Sequence, residues 1–242
     1  MKSIVRRVIG TDNLDQLGYR LRVLKQLGAS NPRECPICGY IGPFRAFGEP
    51  PRYGAQCTNC GSLERHRLFF LGITRLSLLS GVENILHFAP EPCLTGVLQH
   101  AGASYRTADL LPDRATLMLN IEKIDLPDKS VDFVIANHIL EHVNDKEALL
   151  ELRRILTDQG RLVVMIPIIE GWTETYENPA IKSGRDREIH FGQNDHVRYY
   201  GRDFRDRVTA AGFSIQEFTA DGADAVKYGL ARGERLFVTT KA

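Results

Sequence analysis

Asn120-Ile121-Glu122-Lys123-Ile124-Asp125-Leu126-Pro127-Asp128-Lys129-Ser130-Val131-Asp132-Phe133-Val134-Ile135-Ala136-Asn137-His138-Ile139-Leu140-Glu141-His142-Val143 decides how the chain is read. A Pro/Asp/Lys/Ser turn leads into a β-branched and aromatic run at 131–136, and that run into a segment of amide, imidazole and carboxylate side chains. Such a run, bounded by turn residues, predicts a buried strand. Outward from it, the sequence alternates. Further strands are expected at 84–89, 104–108, 116–121, 161–166, 213–218 and 234–240. Helices are expected at 63–79, 94–101, 146–156 and 202–211. Alternating β and α elements predict a mainly parallel sheet covered on both faces. Ligands of such sheets bind beyond the carboxyl ends of the strands, near the switch point of strand order.

Upstream lies a different texture. Cys35-Pro-Ile-Cys38 and Cys57-Thr-Asn-Cys60 are separated by 18 residues between the inner cysteines, and each pair is followed by glycine, Gly39 and Gly61. Two such knuckles offer four thiolates to one tetrahedral Zn²⁺. Two disulfides or four buried thiols would leave the matched metal-ligand spacing unexplained. The intervening Gly/Pro/aromatic segment predicts a small twisted hairpin, too poor in apolar mass to fold without its metal. Before it, Leu14, Leu17, Leu21 and Leu24 recur at helical spacing and Gly28 closes the run, which predicts an amphipathic helix over 12–28. The expected organisation is a helical segment (1–30), a zinc ribbon (31–62) and an α/β domain (63–242).

Composition limits the partners. The chain has 242 residues, 43% of them hydrophobic, and 31 basic against 30 acidic side chains give a net charge of +1. So balanced a charge offers no field for holding a polyanion and argues against nucleic acid. No stretch reaches the ~18–20 apolar residues of a membrane span. The first thirty residues lack the apolar core of a signal peptide, and paired thiols suit a reducing compartment. The expected location is cytoplasmic.

Cofactor chemistry is suggested at the ends of the first two predicted strands. His87-Phe88-Ala89-Pro90-Glu91-Pro92-Cys93 follows one, and Ala108-Asp109-Leu110 ends the next. A carboxylate at Asp109 can accept from two neighbouring ribose hydroxyls at once. The 120–143 stretch, continued by Leu149–Leu156 and 160–164, closely resembles the second half of a class I S-adenosylmethionine-dependent methyltransferase of the type 11 kind. The resemblance covers about residues 82–242 and implies a Rossmann-like seven-stranded sheet. The cysteine ribbon resembles an accessory module of a bacterial subset of these enzymes.

By that resemblance Asp109 and Leu110 would hold the ribose side of S-adenosylmethionine, and Asn120 and Ile121 would flank its adenine. Asn137 and His138 would wall the site, with His142 a further contact and Glu141 a brace. The family's D-x-G-x-G-x-G turn is missing: His87 stands at its acidic position, and Ala89, Glu91 and Cys93 at its glycines. The cofactor carries no phosphate, so Glu91 could take its ammonium by a charge-assisted hydrogen bond instead, with Phe88, Ala89 and Pro90 beside it.

The acceptor side is expected in the long segment 167–200, which carries the only Trp, Trp172. Long loops at this edge of an α/β sheet are usually lids or specificity elements. His190 and His196 are the general-base candidates, Asp195 or Glu174 an orienting carboxylate, and Arg198 an anion clamp or a partner of Asp203 or Glu188. A second metal on His190, Asp195 and His196 is disfavoured. These residues favour O-methylation of a small-molecule or saccharide-like acceptor. The alternatives are an RNA or protein methyltransferase docking through ribbon arginines (Arg33, Arg45, Arg52, Arg65, Arg67), or a non-catalytic binding protein. A nicotinamide dehydrogenase would need the missing glycine fingerprint.

Overall fold

The structure is a computed structural model; it describes residues 32–48, 50–101 and 104–242. The predicted 12–28 helix lies outside the described residues. Two compact units are present: the described residues up to Arg67 with Asp221–Arg232, and Leu68–Ala220 with Gly233–Ala242.

The first unit begins with two small antiparallel ladders. One joins β1 (Arg33–Glu34) to β2 (Ile41–Gly42), and the other joins β3 (Arg45–Phe47) to β4 (Arg52–Gln56) across a register shift. The second ladder is the hairpin expected between the knuckles. α1 (Glu64–Arg75) follows, with an acid in its first turn and a base in its last, as the helix dipole favours.

The second unit is the predicted α/β sheet. In chain order its elements are β5 (Asn84–Phe88), α2 (Pro92–Gln99), β6 (Ser104–Asp109), β7 (Leu117–Met118), β8 (Val131–Ile135), α3 (Asp145–Ile155) and β9 (Leu156–Val164). There follow β10 (Tyr176–Glu177), α4 (Gly184–Phe191), β11 (Arg198–Tyr199), α5 (Phe204–Ala210) and β12 (Phe213–Phe218). α6 (Gly222–Lys227) belongs to the first unit, and β13 (Leu236–Lys241) returns to the sheet.

Seven strands run in the order β12-β13-β9-β8-β5-β6-β7. β7, β6, β5, β8 and β9 are mutually parallel, and β13 enters antiparallel to both β9 and β12. The chain builds outward in opposite directions from β5 and β8, so the switch point lies between these two strands. An apolar cluster fills one side of the sheet, with Leu86, Val134, Leu162 and Phe237 from the strands and Ala148, Leu149, Leu152 and Ile155 from α3. Phe204 and Val208 of α5 join it. Gly72 packs closely against the sheet: a Cβ there would overlap the end of the Leu236 side chain and press on the Phe218 ring.

The turn before β8 is held from α3. Arg154 donates to the carbonyls of Ile124 and Leu126 and pairs with Glu151 and Asp128, while Glu151 accepts from the Ile124 N–H at 2.7 Å. β9 starts five residues before its expected position, because 156–160 continues the ladder through an irregularity opposite Val131–Phe133. The segment expected to be a polar loop contains α4, whose first turn is capped by the Ser183 hydroxyl accepting from the Asp186 N–H.

Candidate functional site

Two sites emerge, one in each unit. In the ribbon, Cys35 Sγ lies 3.6 Å from Cys60 Sγ, and Cys38 Sγ 3.8 Å from Cys57 Sγ. Four sulfurs on a tetrahedral zinc with bonds of about 2.3 Å stand about 3.8 Å apart, so the thiols already have the spacing of one closed site. All four are free thiols. Burial raises the pKa of Cys35, Cys57 and Cys60. At Cys38 burial is outweighed by hydrogen bonds from Asn59 and the Tyr40 backbone, leaving it at about 7. Gly39 and Gly61 both take positive φ (72° and 73°) at the turns of the knuckles, where a side chain would be strained. The four cysteines fit a structural zinc with no open position.

The second site lies at the carboxyl ends of β5, β6 and β8. His87 is fully buried and lies between Tyr105 Oη at 2.9 Å and Glu91 Oε2 at 2.8 Å. Burial pushes the Tyr105 phenol upward, so it stays neutral. Glu91 is thus engaged with His87 rather than presented alone, and it occupies the N-cap position of α2 without using its side chain as a cap. Ala89 holds φ at +46°, the left-handed region that glycine favours. The turn of the glycine motif therefore persists at its first position without glycine.

Asp109 ends β6 half-buried, and its Oδ1 accepts from the Leu111 N–H at 2.9 Å. Leu110, beside it, is 65% exposed, an apolar surface next to a carboxylate. Asn120 uses Oδ1 to accept from the Glu122 N–H, a turn-forming bond. Phe88 and Ile121 belong to the apolar core, under the strand ends. Past β8, Asn137 is buried with Oδ1 unpartnered. His138 has φ +54°, and its buried Nε2 is likewise unpartnered. A strand-end carboxylate, a left-handed turn and buried unsatisfied polar atoms together fit a polar nucleoside cofactor.

The 167–200 segment is fastened to this strand end by buried polar groups. The Val197 N–H donates to the Glu141 carbonyl at 2.9 Å, and Arg198 Nη1 to the Leu140 and Val143 carbonyls at 2.6 Å each. Tyr200 Oη donates to the Leu140 carbonyl and lies 3.0 Å from Asp145 Oδ2. Burial pushes the Tyr200 phenol well up, so it remains a donor. Arg198 also pairs with Glu177 and Asp145, and Arg207 pairs with Asp145, Glu177 and Asp203. Arg198 is therefore an internal clamp, paired with Asp145 and Glu177 rather than with Asp203 or Glu188.

That clamp brings His196, 4% exposed, against His142, with ring centroids 4.6 Å apart and planes at 86°. Burial depresses the His196 pKa against the pull of Glu141 and Asp195. Asp195 meets His142 Nδ1 at 3.3 Å. It orients His142, a partner the sequence did not suggest. His190 instead meets Tyr176 Oη at 2.7 Å on the surface. Sequence reasoning missed Tyr105, Tyr200 and Asp145. Tyr105 had only strand alternation to mark it, and Asp145 fell just outside the helix expected at 146–156.

Residues 94–164 match the methyltransferase domain family. The fold is shared with protein PH0226 of Pyrococcus horikoshii OT3 at 15% identity and a TM-score of 0.50, over 76% of this chain and 94% of that one. It is also shared with a SAM dependent methyltransferase from Archaeoglobus fulgidus at 13% identity and a TM-score of 0.50, over 75% and 95% of the two chains. An uncharacterized protein of Methanocaldococcus jannaschii, MJ0638, is 43% identical over 47 residues, 19% of this chain. That match spans 21% of the relative's length. The chain therefore carries a stretch that matches the methyltransferase domain family, in a fold shared with a SAM dependent methyltransferase, with a four-cysteine ribbon before it.

Proposed function

We propose that the protein methylates an oxygen of a small-molecule or saccharide-like acceptor with S-adenosylmethionine as donor. The observation that carries this reading is that the matched methyltransferase-domain stretch contains Asn137, His138, Glu141 and His142 just past β8, beside the switch point of the sheet. When bound, the cofactor supplies a methyl group on sulfonium, a good leaving group. The chain's own residues would then position, shield and take a proton. Asp109 accepts from the ribose hydroxyls, beside the apolar surface of Leu110. Asn120 and Ile121 border the adenine. Glu91, steadied by His87, accepts from the methionine ammonium, at the turn formed by Phe88, Ala89 and Pro90. Asn137, His138 and His142 line the reacting end. The cluster around His196 and Asp195 receives the acceptor's hydroxyl proton, with His190 farther out in the same segment.

The ribbon arginines give little support to a polymer substrate. Arg33 donates to the Val226 carbonyl, Arg45 to Gln56, Arg52 to Glu64, and Arg67 is fully buried. Each of these four is held by partners within the described residues of the ribbon unit, which leaves them poorly placed to meet phosphates.

Calorimetry with S-adenosylmethionine and its demethylated product tests the donor. Asp109→Ala is expected to weaken binding by about one to two orders of magnitude, as for loss of a charge-assisted hydrogen bond. Unchanged affinity removes Asp109 from the site, and no binding of either compound by the zinc-loaded protein ends the enzymatic reading. Transfer of labelled methyl groups into cell extract tests the acceptor: label in the small-molecule fraction is expected, and label in RNA or protein would replace that acceptor class.

A further inference from the structure

We propose that Glu141, His142 and His196, with His138 beside them, bind a divalent transition-metal ion. One ligand atom from each of the first three residues lies within 4.8 Å of the others. Ligands on a common ion at bonds of about 2.0–2.2 Å stand about 3–4 Å apart, so small side-chain rotations close the site.

The second observation is the state of the polar atoms themselves. Glu141 is 1% exposed, and its Oε2 has no partner. His196 Nδ1 and His138 Nε2 are buried and unpartnered as well. A buried carboxylate oxygen and two buried ring nitrogens without partners are costly, and evolution rarely leaves them so without a ligand. Glu141 Oε1 has only a long contact, 3.4 Å, with His138 Nδ1. His196 Nδ1, buried and without a partner, is the ring nitrogen open to an ion. His142 Nδ1 faces Asp195 Oδ2 at 3.3 Å, which leaves Nε2 as its ligating nitrogen. A carboxylate behind a histidine is the usual outer support of a metal ligand.

The ligand type selects the ion. Two imidazoles and one carboxylate suit Zn²⁺, Co²⁺, Mn²⁺ or Fe²⁺, whereas Mg²⁺ and Ca²⁺ prefer oxygen throughout. Bonds from the Val197 N–H, Arg198 Nη1 and Tyr200 Oη to backbone carbonyls fix His196 over the Glu141–His142 turn, so the donors are preorganised. Three protein ligands leave coordination positions open. If the proposed O-methylation holds, an acceptor hydroxyl occupies one of them. An ion there would lower the hydroxyl's pKa; His196 would then serve as ligand, and the released proton would pass to Asp195, the other member of the His196–Asp195 cluster. The metal site itself stands independently of that reading.

The test uses the full chain with zinc retained in the ribbon. Mn²⁺ is titrated in and followed by the electron paramagnetic signal of the free ion. Co²⁺ is followed by visible absorption and calorimetry, and elemental analysis counts the zinc. One ion per chain beyond the ribbon zinc is expected, with a cobalt spectrum free of sulfur charge transfer. Glu141→Gln and His196→Ala should each weaken binding by about tenfold or more with ribbon zinc still at one per chain. Should either variant fail to fold, His142→Asn is expected to show the same loss. No ion beyond the ribbon zinc, or equal affinity in the folded variants, overturns the proposal. Donor binding is measured separately: donor bound without an ion sinks only the metal site, and an ion bound without donor sinks only the methyltransferase reading.

Discussion

The ribbon and the sheet are built on opposite sources of stability. Around the four cysteines the apolar cluster consists of Cys35, Phe44 and Cys57, with Ile37, Tyr40 and the remaining two cysteines partly buried against it. Around β8 and β9 it runs to more than twenty buried side chains, nearly all aliphatic or aromatic. At about 25 cal/mol per Å² of apolar burial the sheet can offset its chain entropy, whereas the cluster among the described residues of the ribbon is too small to do so. Metal coordination and a buried cation have to do for one unit what hydrophobic burial does for the other.

The largest expected effect follows directly. Structural zinc contributes on the order of 10 kcal/mol or more to such modules. Chelation, or Cys57→Ser, is expected to abolish hydrogen-exchange protection in the described residues of the ribbon unit. Protection in Val131–Ile135 and Leu156–Val164 should survive. Equal loss in both units would erase the contrast, and full protection after zinc removal would show that the ribbon's small core suffices.

Next in size is Arg67. It is fully buried, and burial lowers its pKa. Its guanidinium donates to the carbonyls of Ala55, Ser62, Tyr228 and Gly229, at 2.9, 2.6, 2.7 and 2.7 Å, and stands 4.7 Å from the Phe44 ring centroid. Arg67→Met strands four acceptors and is expected to cost about 3–5 kcal/mol, read as a lower urea midpoint for zinc release. Arg45→Met, at an exposed pair with Gln56, should stay within about 0.5 kcal/mol. A mild Arg67→Met phenotype would transfer the ribbon's stability back to zinc alone.

Much of this architecture was legible, for physical reasons that differ by region. Strand and helix positions from β5 to β9 followed from periodicity, because those segments are buried in one continuous core. The knuckle spacing revealed the zinc ligands because coordination chemistry acts locally in sequence. α4 was hidden: its residues Gly184–Phe191 bury only Phe191, so no apolar stripe announces it. The pairing of His142 with His196 was hidden too, since it depends on Arg198 and Tyr200 reaching carbonyls 55 to 60 positions away. Arg67 looked like a free ribbon cation, although its partners include carbonyls 161 and 162 positions downstream. Hydrogen bonds to backbone carbonyls carry no side-chain signature at the accepting end.

The smallest effect separates the units by pH. At the sheet, Arg205 donates to Glu217 at 2.6 and 2.9 Å and to Glu170 at 2.8 Å, and Arg235 pairs with both acids. Hydrogen bonds from Arg205, ahead of opposing burial, hold both carboxyls below their usual value near 4.5. Folded pKa values below the unfolded ones mean stabilisation that is present above about pH 4.5 and lost as pH falls through the lowered values. Both acids are partly exposed, so solvent screening keeps the contribution to about 1 kcal/mol or less. Glu217→Gln should therefore flatten the acid limb of the sheet's stability curve below pH 5 while leaving zinc release from the ribbon at the same pH. An unaltered acid limb would mean that these arginines hold the carboxylates no better than water does.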